Sequence, residues 1–141
     1  MYRVLLPVDE NMDRAELAAD AVVSLPNANE DVTVTVLNVF EAFSAADEGG
    51  QVRSEDIWDD VDLPESVNAV VDRLDSAGID ATTRREHGDP ANQILSVAGE
   101  IDADTIIMSG RKRSPTGKVL FGSVVQSVLV DADCPVMVDL S

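Results

Sequence analysis

Residues 106–130 read IIMSGRKRSPTGKVLFGSVVQSVLV, and this stretch decides the fold. An apolar strand is predicted over residues 105–109, followed by a break at Gly110 and a loop over residues 111–118. An amphipathic helix then begins at Gly122 and Ser123. Glycines let the backbone approach a ligand closely, and a helix N-terminus offers free N–H groups and the positive end of its dipole. The stretch therefore predicts a cradle for an anion.

The predicted loop concentrates positive charge in an acidic chain. The whole chain has 10 basic residues against 27 acidic ones, and its net charge is −17. The loop holds Arg111, Lys112, Arg113 and Lys118, which are four of those 10 basic residues. Such a cluster would offset the charge of a bound phosphate as well as the repulsive field of the protein itself. A solvated basic loop that binds no ligand is the alternative interpretation.

Two common phosphate-binding loops do not fit this stretch. A Walker A loop needs a glycine five positions before its Gly-Lys pair and a Ser or Thr after it, but Lys112 and Val119 occupy those positions. The dinucleotide pattern G-x-G-x-x-G is absent, including after the first predicted strand, where it would belong. The predicted phosphate loop is therefore late in the chain and of another kind.

The composition indicates one acidic globular domain. The chain has 141 residues, enough for one substantial core, with 18 Asp, 9 Glu, 8 Arg and only 2 Lys. An Asp-rich, Lys-poor composition resembles that of cytoplasmic proteins of extreme halophiles, in which salt screens the self-repulsion. The same negative charge predicts no binding to nucleic acid or to membrane surfaces.

Targeting signals and cysteine chemistry are also constrained by the sequence. No apolar run has the length that spans a bilayer, and the N-terminus lacks a signal-peptide pattern, so a cytoplasmic protein is expected. The one cysteine, Cys134, excludes an internal disulfide framework and is interpreted as a packing residue. The one histidine, His87, is expected to be a turn residue without a catalytic role.

Alternating strand and helix patterns predict the architecture. Strands are predicted over residues 2–8, 32–40, 79–86, 105–109 and 135–140, with helices over residues 13–25, 64–77 and 123–130 and another that starts at Asp89-Pro90. The third strand is polar enough for a sheet edge. The order β-α-β-α-β-α-β-α-β predicts an α/β fold: a single-domain, doubly wound, five-stranded parallel sheet with helices on both faces.

Residues 41–63 interrupt this alternation. They include Gly49-Gly50 and the only tryptophan, Trp58, and we expect a mobile loop or insertion with a short helix. A lid or partner site and a plain variable insertion both fit this segment.

Ligands of doubly wound sheets bind beyond the carboxyl ends of the strands, at the point where the strand order reverses. Asp9 follows the first strand and Gly110 follows the fourth. If these strands are neighbours, a carboxylate for a ribose hydroxyl or a metal faces a cradle for phosphates across one crevice.

Several motifs together resemble the universal stress protein family, whose members are UspA-like domains. They are VLLPVDE at residues 4–10, HGDP at 87–90, IIMSG at 106–110, LFGSVVQSVL at 120–129 and CPV at 134–136. The resemblance covers residues 1–141 and implies a Rossmann-like fold of the adenine-nucleotide alpha-hydrolase-like type.

The glycine motif of the ATP-binding members, G-x2-G-x9-G-[S/T], is present as a variant. Gly110 matches its first glycine, and Gly122 and Ser123 match its last pair. Arg113 stands in place of the second glycine, and the spacing from there to Gly122 is one residue short. Gly117 would compensate for the lost flexibility.

The resemblance implies an ATP site, with or without Mg or Mn. Asp9 would contact the ribose or, as a metal ligand, a cation that bridges the phosphates. The other residues implied are Pro7, Val8 and Val39 on the adenine side, Met108 and Gly110 beside the ribose and phosphates, and Gly122, Ser123 and Val124 around the phosphates. The roles of Arg111, Lys112 and Arg113 follow from their charge and not from the resemblance.

The resemblance also implies a homodimer through the last strand, from Pro135 to Leu140, which would cover an open sheet edge. Three functions are compared: a nucleotide-binding stress-response module with little or no hydrolysis, a dimeric interaction protein that binds no ATP, and a true nucleotide hydrolase or transferase. Arg113 and the shortened spacing favour the second, but the retained Asp9, Gly110 and Gly122-Ser123 favour the first. The third is disfavoured because the sequence shows no efficient catalytic set.

Overall fold

A computed structural model describes residues 1–40, 63–110 and 122–140, with only the backbone described at Leu140. The elements in these ranges are β1 (Tyr2–Pro7), α1 (Met12–Val23), α2 (Ala28–Asp31), β2 (Val32–Phe40), α3 (Glu65–Ser76), β3 (Asp80–His87), α4 (Pro90–Glu100), β4 (Thr105–Gly110), α5 (Ser123–Asp131) and β5 (Val136–Leu140). In the described ranges, no helix has the length and apolar character needed to cross a membrane.

The five strands form one parallel sheet in the order β3-β2-β1-β4-β5. Val4 of β1 pairs with Val34 of β2 on one side and with Thr105 of β4 on the other. The chain therefore winds outward from β1 in one direction through β3 and in the other through β5. This confirms the predicted doubly wound sheet, including the adjacency of the first and fourth strands.

The core lies in two layers, one on each face of the sheet. Along β1, Leu6 packs with the layer formed by α1 and α3, and Leu5 packs with the layer formed by α4 and α5. Both side chains are 0% exposed, because a strand that is covered on both faces needs apolar residues at successive positions. This explains why the first strand reads as a continuous apolar run.

Helix starts follow their capping residues. The Asn11 side chain caps α1 by accepting a hydrogen bond from the Arg14 backbone N–H at 2.9 Å. Asp89 caps α4 in the same way, and Pro90 occupies its first turn as predicted. Pro64 was expected to be the first residue of the helix over residues 64–77, but it is the N-cap of that helix, α3.

Two sequence predictions are wrong in detail. The four-residue helix α2 was not expected, because its polar sequence has no apolar periodicity; Asn27 precedes it in the left-handed region with φ 54°. His87 was expected in a turn but is the last residue of β3, where it pairs with Phe40 and their ring centroids lie 6.1 Å apart. The β2–β3 ladder therefore runs one residue further than predicted.

Cys134 fits its predicted packing role. It is partly buried against the layer formed by α4 and α5. This burial, with a smaller contribution from Asp133 and Asp104, raises the pKa of the thiol above its ordinary value. A raised pKa keeps the thiol protonated and unreactive.

Some predictions fall outside the described residues. They are residues 41–62 of the loop or insertion predicted over 41–63, and the basic loop with Arg111, Lys112, Arg113, Gly117 and Lys118.

Candidate functional site

A cavity of about 490 Å³ opens where the strand order reverses, between the carboxyl ends of β1 and β4 and the start of α5. All the predicted site residues that the structure describes line this cavity: Pro7, Val8, Asp9, Val39, Met108, Gly110, Gly122, Ser123 and Val124. The sheet topology brings these residues together from four separate parts of the chain. Parallel strands end at one edge of the sheet, so such residues meet there.

One side of the cavity is apolar. Val8 and Met108 are each 5% exposed, and Leu37 is fully buried behind them. Ile94 of α4 and Val125 of α5 also line the cavity and belong to the same core layer. This wall is an extension of the core and is suited to a flat apolar group such as a nucleobase.

The acidic group of the cavity is Asp9, and both of its carboxylate oxygens accept hydrogen bonds. The Asn11 backbone N–H donates to Oδ1 at 2.9 Å, and Arg14 Nη2 donates to Oδ2 at 2.7 Å. The Arg14 side chain is only 21% exposed, whereas that of Asp9 is 57% exposed. The site therefore holds a mostly buried cation next to a solvent-facing carboxylate.

Buried side chains fix the backbone that carries Asp9. Asn38 of β2, which is 5% exposed, donates from Nδ2 to the Val8 carbonyl at 2.9 Å. Ser66 of α3, which is 1% exposed, donates from Oγ to the Asp9 carbonyl at 2.5 Å. Buried polar groups without partners are costly, so each bond fixes the position of the strand end.

The start of α5 faces the cavity from the other side. Gly122 is the N-cap, and no side chain in the described part of the protein caps this helix. The first N–H groups of an α-helix have no partner within the helix, so those that follow Gly122 can bind an anion.

Gly122 itself is not required by the fold. Its φ of −63° suits any residue, and a Cβ there would meet no described atom within 4 Å. No described atom fills the space that a Cβ of residue 122 would take, which is consistent with close approach of a ligand.

Several lining residues were not predicted from the sequence, namely Arg14, Ala15, Leu37, Pro90, Ile94 and Val125. The signal for Arg14 was present. Asn11 is a good N-cap, so Arg14 falls in the first turn of the helix that leaves the strand end carrying Asp9. A cation in that turn must lie at the same sheet edge.

The described residues do not form a metal site. They contain no group of three or more His, Cys, Asp or Glu side chains that could hold a metal ion. The predicted ligand, Asp9, has one oxygen held by the Arg14 guanidinium and the other by a backbone N–H. In the described residues Asp9 is therefore a partner of Arg14 and Asn11 and belongs to no such group, and the cation expected to bridge the nucleotide phosphates stays a prediction.

Comparisons with known proteins agree with the fold and with the predicted family. The model of the universal stress protein family matches residues 1–139. A universal stress protein of Methanocaldococcus jannaschii is 32% identical over 74 residues, which are 52% of this chain and 44% of that protein. The matched part thus spans less than half of that relative.

Two solved structures show the same architecture over the full chain. A universal stress protein from Archaeoglobus fulgidus has a TM-score of 0.73 at 29% identity and covers 98% of both chains. A universal stress protein structure from the same organism in complex with dAMP has a TM-score of 0.68 at 23% identity, covering 98% of this chain and 97% of that one.

Proposed function

Because the chain belongs to the universal stress protein family, we propose that it binds an adenine nucleotide in the cavity between β1, β4 and α5. ATP is the proposed nucleotide, and the protein is a stress-response module with little or no hydrolysis. One observation carries this proposal: an apolar wall, the Asp9 carboxylate and a helix start without a side-chain cap in the described residues border the same cavity.

The adenine ring would bind against the apolar wall. Pro7 and Val8 line it from β1, and Val39 lines it from the end of β2. The cavity volume of about 490 Å³ falls within the usual range for small-molecule sites.

The ribose and phosphates would bind across the crevice from the adenine. Asp9 can accept hydrogen bonds from ribose hydroxyls, because a carboxylate has more acceptor positions than the two in use. Met108 and Gly110 would flank the ribose. Residues around the α5 N-terminus, namely Gly122, Ser123 and Val124, would hold the phosphates, with Arg111, Lys112 and Arg113 offsetting their charge.

The dAMP complex of the structural neighbour supports an adenine nucleotide as the ligand class, because that protein shares the fold. The fold sets the position at which the strand order reverses, and ligands of such sheets bind at that position. We propose that this chain binds the same class of ligand, and that its nucleotide is ATP and not a monophosphate.

The groups that line the described part of the cavity support slow or absent hydrolysis as part of the proposal. Among the described lining residues, Asp9 is the only carboxylate, and there is no histidine. A general base must reach the attacking water, and the described lining offers only Asp9, whose two carboxylate oxygens already accept hydrogen bonds from Arg14 and Asn11. The proposed role is therefore binding and signalling, not turnover.

Thermal unfolding tests this proposal. The protein is heated in concentrated KCl, which screens its self-repulsion, with and without ATP, ADP or AMP. A ligand at about 100 times its Kd stabilises the folded state by about 2.7 kcal/mol, which raises the midpoint by several degrees. Tripolyphosphate at the same ionic strength is the control, since it has the charge without the adenine. No shift with any of the three nucleotides contradicts the proposal, and rapid phosphate release from ATP contradicts the binding-only role.

A second candidate is a dimeric interaction protein that binds no nucleotide. It is favoured by β5, which is an edge strand of the sheet and carries Met137 with 43% of its surface exposed. Pairing of two chains from Pro135 to Leu140 would cover that edge. Light scattering that gives twice the mass of one chain, with no nucleotide-dependent thermal shift, is the result expected for this function.

A further inference from the structure

We propose that Arg14 is the counter-cation that the described part of the cavity supplies, so that this chain binds its adenine nucleotide without a divalent metal. The inference rests on the proposed function and deepens it. It concerns what neutralises the phosphates, a role that a bound metal commonly has in nucleotide sites.

The first step is the position of Arg14. Its Nη2 atom lies 2.7 Å from Asp9 Oδ2, and both residues line the cavity. Asn11 caps the helix and thereby fixes the turn that carries Arg14. Its side chain is 21% exposed, so the guanidinium lies partly buried at the cavity and is less exposed than the 48% of Arg73 in the other described arginine–aspartate pair.

The second step is what this position does to a metal at Asp9. Mg²⁺ binds carboxylate oxygens at about 2.1 Å, so a cation on Oδ2 would lie within about 5 Å of the guanidinium. Two cations at that separation repel each other strongly in a partly buried site. The other oxygen already accepts the Asn11 N–H at 2.9 Å. Metal binding at Asp9 is therefore disfavoured while Arg14 stays beside it.

The third step is what Arg14 can offer a phosphate. A guanidinium has five N–H donors and stays charged at all physiological pH values. The bond to Asp9 uses one of them, so others remain available to a phosphate that approaches the α5 N-terminus. Arg14 and the N–H groups that follow Gly122 thus supply two sources of positive potential on one cavity.

The test is a calorimetric titration of the full chain with ATP, once in excess EDTA and once in excess Mg²⁺ at matched ionic strength. We expect the two Kd values of the unmodified protein to agree within about threefold, because no metal is needed. The variant Arg14→Gln should weaken binding in EDTA by about ten- to a hundredfold, the usual range for loss of a charge-assisted hydrogen bond.

The effect of Mg²⁺ on the ATP affinity of Arg14→Gln should distinguish a role in phosphate binding from a purely structural role of Arg14. In Arg14→Gln the Asp9 carboxylate loses its cation, so Mg²⁺ should restore part of the lost affinity. A residue that only supports the fold would give no such rescue. Arg73→Gln is the matched control, because it removes an exposed ion pair with Asp20, 3.3 Å apart, away from the cavity. It should bind ATP as the unmodified protein does.

Other results would contradict either the role of Arg14 or the proposed nucleotide site, and the two cases can be distinguished. Binding by the unmodified protein that appears only with Mg²⁺, or an Arg14→Gln variant that binds normally in EDTA, contradicts the role of Arg14 and leaves the nucleotide site intact. Absence of binding in both conditions contradicts the proposed function itself. Circular dichroism and the thermal midpoint of Arg14→Gln establish that the variant is folded.

Discussion

The cavity at the ends of β1 and β4 and a groove between α1 and α3 are similar in size, about 490 and 430 Å³. The groove is lined by Glu16, Ala19, Asp20, Ala69, Val70, Asp72, Arg73 and Ser76. All of these lie on the flanks of two helices, where backbone N–H groups are used within the helix. The cavity instead meets one helix at its start, where N–H groups have no partner in the helix.

The difference is electrostatic as well as geometric. In the groove, the one arginine pairs with Asp20, and Glu16 and Asp72 add further negative charge. In the cavity, the described lining has Asp9 paired with Arg14 and no other acidic side chain. For a chain of net charge −17, a phosphate site must be built from backbone N–H groups and a few cations. Volume alone does not distinguish the two surfaces.

The largest expected effect comes from filling the start of α5. Gly122→Val should lower the affinity for ATP by more than about a hundredfold, or about 2.7 kcal/mol, because its side chain occupies the space next to the helix N–H groups. The fold should be unaffected, since a Cβ there meets no described atom within 4 Å. Titration calorimetry measures the change.

Gly99→Val is the matched control for that substitution. Gly99 lies in α4, away from the cavity, and a Cβ there also meets no described atom within 4 Å. It should leave ATP affinity unchanged. Equal binding by the two variants would place the ligand elsewhere, with the groove as the next surface to test.

A smaller effect is expected where a buried hydroxyl supports the cavity. Ser66→Ala removes the bond from Oγ to the Asp9 carbonyl and should lower the free energy of unfolding by about 1–2 kcal/mol. Ser76→Ala, at the exposed end of the same helix in the groove, should change it by less than about 0.5 kcal/mol. Urea denaturation in concentrated KCl gives both values. If the two serines have the same effect, the support of Asp9 from α3 is not energetically important.

Much of the fold could be predicted because apolar periodicity is local. The range 32–40 was predicted as a strand and is β2, Val32–Phe40, since nine residues with branched and apolar side chains fit a covered strand. Helix α2 was not predicted because four residues, of which only Ala28 is apolar, have no period to detect. Its geometry depends on the left-handed Asn27, which a single sequence does not reveal.

The site was predictable wherever a residue follows directly from a strand end or a helix start. Asp9 follows strand β1, Gly110 is the last residue of strand β4, and Gly122 precedes α5. The topology alone therefore brings these three residues to one edge of the sheet. Arg14 was missed because its role depends on a side-chain pairing that the residue types do not specify. Asn38 and Ser66 were missed because they contact the site through backbone carbonyls, which leave no mark on the sequence.

The most direct test of the account is to map nucleotide-induced changes in the amide signals of the labelled protein by NMR. We predict that ATP, in EDTA and concentrated KCl, shifts the amide signals of Ser123, Val124 and Asp9 and leaves those of Ala69 and Asp72 in the groove unchanged. Shifts confined to the groove, or no shift at the start of α5 at saturating ATP, would contradict the claim that the sheet reversal and this helix start form the nucleotide site.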